Sequence, residues 1–173
     1  MLRVLAVAAL LLALPARADE GTVQTFSVHE PARWSVGLML GAPTGISLKR
    51  YLGGRNAFDL NAAAAYGPGL RLGADYLWGL AELLGDRSGA NLDFYLGAGG
   101  FVGTLQGPCA GYGYWRDTCN GDLFAGVRMP VGLELVFKRV PISLGLEVAP
   151  GIAFAPGRAG FMLDASLLVR VLL

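Results

Sequence analysis

The chain has 173 residues, a net charge of +1, a hydrophobic content of 54% and 26 glycines. Near-neutral charge gives no electrostatic basis for binding nucleic acid, and this much glycine disfavours a helical protein. The length suits one domain, and no segment beyond residue 18 has the ~20 unbroken apolar residues of a membrane helix.

The first eighteen residues have the three parts of a secretory signal peptide. Arg3 supplies a positive charge, Val4–Ala16 an apolar stretch, and Ala16-Arg17-Ala18 a small-residue cleavage site. We therefore predict a signal peptide at 1–18, an N-terminal periplasmic segment at 19–33 and a folded domain at 34–173. The one histidine, His29, lies in the polar segment and is interpreted as solvated, without a catalytic or metal-binding role.

Apolar residues alternate with small or polar ones in several segments of about ten residues. This period-two pattern is typical of strands, and a closed barrel lets an exported chain cross the outer membrane without helices. Eight strands are predicted, an even number as in single-chain bacterial barrels: Trp34–Leu40, Gly45–Leu52, Phe58–Tyr66, Leu70–Trp78, Leu92–Gly99, Leu123–Phe137, Ile142–Ala149 and Phe161–Leu173. The predicted fold is all-β, an eight-stranded antiparallel up-and-down transmembrane β-barrel.

The two faces of these strands differ in polarity. In Leu123–Phe137 every odd-numbered residue is apolar, whereas the even-numbered set includes Arg128 and Glu134. The mixed face carries too few charges for a solvated exterior, so we expect it to line a narrow lumen while the apolar face meets lipid. A soluble lipocalin-like barrel, with the apolar face inward, is the alternative.

Connection lengths and aromatic residues orient the predicted barrel. With both termini periplasmic, Gln106–Gly121 is a long external loop, although Gly79–Asn91 is then a long periplasmic one. Outward aromatics form two groups at opposite strand ends, which predicts the two interfacial girdles of a membrane barrel: Trp34, Trp78 and Phe137 at the periplasmic end, and Tyr66, Phe154 and Phe161 at the external end.

Ten charged residues fall on the predicted inward face. They are Lys49, Arg71, Arg128 and Arg170, with Asp59, Asp75, Asp93, Glu134, Glu147 and Asp164. Unpaired charges in so narrow a lumen are costly, so we expect an internal ion-pair network that plugs the barrel, with Glu147 the leading partner of Arg128. A small charge-selective pore is the alternative.

Two prolines, Pro130 and Pro150, interrupt neighbouring predicted strands. Proline has no N–H to donate to a ladder, so we expect each to mark a bulge or the rim of a strand. A ligand cleft opening laterally there, as in lipid-modifying barrels, is the functional alternative.

The only two cysteines, Cys109 and Cys119, lie in the predicted external loop. In an exported chain this even count predicts one disulfide. The loop also contains Tyr112, Tyr114, Trp115 and Arg116, residue types favoured at interaction hot spots. We treat these four as candidate surface-recognition residues; the alternative is that their rings pack on the loop or rest on the membrane.

Six short stretches, in order, resemble a family of small outer-membrane barrels of unknown function that share the shape of OmpX and OmpA. They are Gly41–Ser47, Asn56–Asp59, Ala74–Trp78, Tyr95–Gly100, Val127–Leu133 and Glu147–Pro150. The resemblance spans about Trp34 to Leu173 and implies the barrel and its location, but no assigned chemistry. Such barrels usually end in an aromatic residue that the assembly machinery reads; this chain departs from that pattern with Leu173.

The sequence as a whole favours a monomeric structural or surface-interaction protein of the bacterial outer membrane, not an enzyme and not a large pore. Membrane lipid and the outer-membrane assembly machinery are its expected partners, together with an unnamed surface partner. No cofactor, metal or nucleic acid is expected. An outer-membrane lipid-modifying enzyme is the alternative from another class.

Overall fold

The computed structural model describes residues 33–64, 69–84, 89–104, 123–156 and 158–173. The predicted signal peptide, the periplasmic segment up to residue 32 and the whole predicted external loop 106–121 lie outside this range. Within it, no helix is long and apolar enough to cross a membrane. The described chain is antiparallel β-structure: β1 Trp34–Ala42, β2 Thr44–Gly53, β3 Asn56–Ala64, β4 Leu70–Leu84, β5 Ala90–Thr104, β6 Leu123–Arg128, β7 Val131–Phe137, β8 Ile142–Ala155 and β9 Arg158–Leu172.

The strands close into a ring. Strands that follow one another in the chain pair with each other, except β6 and β7, and β1 completes the circle by pairing with β9 through Val36 and Val171. Strands β6 and β7 together occupy one strand position in the ring, because both pair with β5 on one side and β8 on the other. The predicted eight-stranded antiparallel barrel is therefore confirmed as a closed ring of eight strand positions.

Pro130 divides β6 from β7 without disturbing the pairing. The residues on either side keep one register with β8, Arg128 opposite Gly151 and Val131 opposite Val148. Pro150 likewise lies within an unshifted β8–β9 ladder, opposite Leu163. The expected bulge is absent at both prolines, because neither ladder shifts register. The expected strand rim was wrong for Pro150, which lies inside β8, whereas Pro130 does lie at a break, between the end of β6 and the start of β7. The carbonyls of Pro130 and Pro150 still accept backbone hydrogen bonds from Gly97 (2.6 Å) and Met129 (2.9 Å).

Irregular pairing occurs instead near the ends of β2 and β4. The register shifts between Tyr51 and Gly53, and twice in β4, after Gly79 and after Glu82. These irregularities let β4 continue to Leu84, and β5 starts at Ala90. The predicted long connection Gly79–Asn91 is thus wrong, since most of it is strand and the connection comprises residues 85–89.

The barrel has two ends, which we call end A and end B. End A holds the start of β1, the end of β9 and the β2–β3, β4–β5 and β7–β8 connections; end B holds the other connections, including residues 105–122. The β2–β3 connection is a two-residue turn with Gly54 at φ 60° and Arg55 at φ 70°. Positive φ at both central residues suits the twist of a hairpin.

The exterior is apolar on almost every strand. Leucine, isoleucine, valine and phenylalanine side chains are exposed from β1 to β6 and on β8 and β9, whereas the outward residues of β7 are half-buried. Of the predicted girdles, Trp34 and Trp78 are exposed near end A, and Phe154 and Phe161 near end B. Since successive residues of a strand point to opposite faces, the intervening polar residues are directed into the ring.

Candidate functional site

The interior of the barrel is the polar part of the molecule. All ten charged residues predicted for the inward face are buried, none more than 7% exposed: Lys49, Asp59, Arg71, Asp75, Asp93, Arg128, Glu134, Glu147, Asp164 and Arg170. Buried charges are stable only when paired and hydrogen-bonded. The ion pairs and hydrogen bonds between these side chains therefore determine whether the lumen is blocked or open.

One group of contacts, the Glu134 cluster, lies toward end A. The Glu134 carboxylate accepts hydrogen bonds from Lys49 Nζ (2.5 Å), Tyr51 Oη (3.0 Å), Ser143 Oγ (3.0 Å) and Arg170 Nη1 (3.3 Å). Two cations and two hydroxyls thus surround one buried carboxylate.

Arg170 extends this cluster across the lumen. Its Nη2 lies 2.5 Å from Asp59 Oδ2, and its Nε donates to Ser47 Oγ at 3.0 Å. The Ser47 hydroxyl in turn donates to Asp59 at 2.9 Å. Arg170 is consequently shared between two carboxylates, Asp59 and Glu134, which are contributed by β3 and β7.

A second group, the Arg128 cluster, lies toward end B. The Arg128 guanidinium makes a double hydrogen bond to the Asp75 carboxylate and reaches Asp164 Oδ2 at 3.2 Å. Arg71 Nη2 donates to the same Asp164 oxygen at 2.6 Å, and its guanidinium stacks 4.1 Å from the centre of the Phe101 ring.

The expected partner of Arg128 was wrong. Glu147 makes no ion-pair contact with Arg128; its Oε2 accepts a hydrogen bond from Tyr95 Oη at 2.8 Å. Glu147 lies on β8, which pairs with the strand β6 that carries Arg128, but the ion pairs in the lumen do not follow strand adjacency. Arg128 reaches instead across β5 to Asp75 on β4.

Inward glycines explain which polar groups meet. Gly99 of β5 is the register partner of both Asp75 and Arg128, so those two residues flank a position without a side chain. A Cβ on Gly99 would lie 2.1 Å from Asp75 Oδ1. The same arrangement places Gly37 between Ser47 and Arg170, and Gly132 between Tyr95 and Glu147. Each glycine opens space for a contact between its two neighbouring strands.

Alanine at position 99 is expected to destabilise the barrel by about 1–3 kcal/mol, the usual cost of overpacking. The added methyl group would collide with the Asp75 carboxylate and with the backbone oxygen of Ala74. The matched control is Gly89→Ala, because a Cβ there meets nothing within 4 Å. Urea titrations in detergent micelles should separate the two variants; equal unfolding midpoints would contradict the packing role of Gly99.

The sequence prediction lacked the uncharged members of the lumen network, which include Ser47, Tyr51, Asn61, Tyr95 and Ser143. All five have the same odd or even parity as a predicted inward charge on their own strand. That parity is the signal that could have found them, because side-chain direction in a strand repeats every two residues.

Apolar layers flank the ion pairs toward both ends. Tyr51, Leu77, Tyr95, Val136 and Leu172 pack with Ala57 toward end A. Phe101, Phe124, Ala153 and Met162 pack together toward end B. Toward end A, a cavity of about 20 Å³ is lined by Lys49 and Glu134 together with Tyr51, Leu77 and Tyr95 of the apolar layer, which is room for about one water molecule.

Ion pairs and apolar side chains of the described residues therefore occupy the lumen, with the small cavity beside Lys49 and Glu134 among them. No group of three or more His, Cys, Asp or Glu side chains in the described residues could hold a metal ion. The predicted disulfide between Cys109 and Cys119, and the candidate recognition residues Tyr112, Tyr114, Trp115 and Arg116, lie outside the described residues.

The comparisons with known proteins give no assignment. No family model, no curated protein and no solved structure matches this chain.

Proposed function

We propose that this protein is an integral barrel of the bacterial outer membrane, with a plugged lumen, that anchors surface-exposed segments rather than conducting solutes. The observation that carries the proposal is the inverted polarity of the ring. Charged side chains such as Arg71 and Arg170 are buried in the lumen, whereas leucines such as Leu123 and Leu163 are exposed on the wall.

Solvent around the wall must be apolar for this arrangement to be stable. Each large aliphatic side chain moved out of water contributes about 1.5–3 kcal/mol, and the exposed leucines, valines and phenylalanines encircle the barrel between the two aromatic groups. A soluble lipocalin-like barrel would have the opposite polarity, with an apolar lumen. Lipid suits the apolar outer wall, while the polar side chains remain inside the ring. The backbone is compatible with lipid as well, because the strands of a closed ring satisfy one another's hydrogen bonds.

The filled lumen supports the anchor role over the pore. Arg128, Arg170 and Glu134 each bridge groups from several strands, so opening a channel would break several buried ion pairs at once. Export by the signal peptide at 1–18 and the surface role of the disulfide-tied loop complete the proposal, both from the sequence. The resemblance to small OmpX-like barrels of unknown function supports the same location.

Membrane insertion is tested by expressing the full chain in a Gram-negative host. The protein should sediment with outer membranes, resist extraction at alkaline pH and migrate differently on gels before and after heating, as a stable barrel does. Recovery in the soluble periplasmic fraction would overturn the proposal. In planar bilayers the inserted protein should give no steady conductance, and a reproducible open channel would favour the pore.

A further inference from the structure

The strand position formed by β6 and β7 has an incomplete hydrogen bond pattern beside its two prolines. On the β8 side, Met129 N donates to the Pro150 carbonyl at 2.9 Å. Two residues that pair in this way in an antiparallel ladder normally exchange two hydrogen bonds. Residue 150 is a proline, however, and has no N–H to donate to the Met129 carbonyl. This pair therefore makes one hydrogen bond in place of two.

The same loss occurs on the β5 side of this strand position. Gly97 N donates to the Pro130 carbonyl at 2.6 Å, and the reciprocal bond to the Gly97 carbonyl would require the N–H that proline lacks. Both incomplete pairs fall at the interruption between β6 and β7. We call these two pairs, Gly97 with Pro130 and Met129 with Pro150, the proline seam.

The proline seam extends through the thickness of the wall. Met129 is exposed on the outer surface, whereas Pro130 is buried on the inner one. A backbone carbonyl without a donor is unfavourable in an apolar surrounding, where water does not replace the missing bond. Separating the strands at the seam therefore breaks fewer backbone bonds than separating them at a pair that makes both.

The Arg128 side chain spans both sides of the seam from within the lumen. From the end of β6 it makes a double hydrogen bond to Asp75 on β4, beyond β5, and reaches Asp164 on β9, beyond β8, at 3.2 Å. Asp164 is the register partner of Ala149, the residue before Pro150. The two ion pairs thus cross the interior at the level where the wall lacks backbone bonds.

We propose that the barrel wall opens sideways at the proline seam and that Arg128 is the side chain that holds the seam closed. Two ion pairs of one side chain take the place of two absent backbone bonds. Opening at the seam exposes the interior toward the surrounding membrane without creating a channel along the barrel axis. The inference goes beyond the anchor role and is compatible with a plugged lumen.

Amide hydrogen exchange tests the opening in the full-length barrel, refolded in detergent micelles and followed by NMR. The protection factor of the Met129 amide is compared with those of Val127 and Val131 in the same ladder. The partners of these two control residues, Ile152 and Val148, both have an N–H. Met129 should be about tenfold less protected, the effect of about one net hydrogen bond. Equal protection of the three amides would overturn the opening.

Substitution of the proline assigns the effect to the missing N–H. Pro150→Ala should raise the protection of Met129 about tenfold, to the level of its neighbours. The matched control is Pro141→Ala, in the connection between β7 and β8, which should leave Met129 unchanged. A folded Pro150→Ala barrel with wild-type exchange at Met129 would contradict the seam. If that variant does not fold, the comparison within the wild-type chain decides alone.

Arg128→Met tests the closing role. Loss of both ion pairs should lower the protection of Met129 about tenfold more than that of Leu48, which lies on β2 at the opposite side of the ring. An equal loss at the two amides would show that Arg128 stabilises the whole barrel and does not hold the seam. Arg128→Lys, which keeps the charge but not the double hydrogen bond, should show the same selective loss if the methionine variant does not fold. Cell fractionation tests the proposed function separately, because the exchange comparison does not depend on cellular location.

Discussion

Replacing Glu134 with glutamine is expected to destabilise the barrel by about 3–5 kcal/mol, the usual cost of breaking a buried ion pair from one side. The substitution preserves shape but leaves Lys49 buried without its carboxylate partner and removes one of the two carboxylates that contact Arg170. Urea unfolding in lipid vesicles, followed by tryptophan fluorescence, should show the midpoint shift without a change in slope.

Glu82→Gln is the matched control for this prediction. It makes the same chemical change in the Arg55–Glu82 pair, which is partly exposed at end A. Such surface pairs contribute about 0–1 kcal/mol. If the two variants lose the same free energy of unfolding, the ion pairs of the Glu134 cluster contribute no more to the stability of the barrel than an exposed surface pair does.

Arg128→Met and Asp75→Asn are expected to be strongly non-additive. Each single change should cost about 3–5 kcal/mol, because each leaves a buried charge without a principal partner. The double variant should lose less than the sum, with an interaction energy of about 1–3 kcal/mol. The double hydrogen bond between the two side chains across Gly99 is the reason.

Two further double-mutant cycles test how the lumen is divided. Arg128→Met combined with Glu134→Gln should be additive within about 0.5 kcal/mol, because the two residues share no hydrogen-bonding partner. Arg128→Met combined with Glu147→Gln should show weaker coupling than the Asp75 cycle. Stronger coupling to Glu147 than to Asp75 would contradict the pairing across β5.

Sequence by itself determined the existence of the strands, their two faces and the charged members of the lumen network. The reason is that side-chain direction in a strand repeats every two residues, so the parity of a residue such as Arg128 or Asp164 assigns it to a face before any strand is paired. The alternation in Leu123–Phe137 survives Pro130 because the pairing with β5 and with β8 keeps the same register on both sides of the proline.

Tertiary structure alone decided which charges meet and where the strands end. Parity does not specify the register between strands, and register determines that Gly99 lies between Asp75 and Arg128 while Gly132 lies between Tyr95 and Glu147. The extension of β4 to Leu84 likewise required the register shifts after Gly79 and Glu82, which interrupt the alternation that sequence analysis follows.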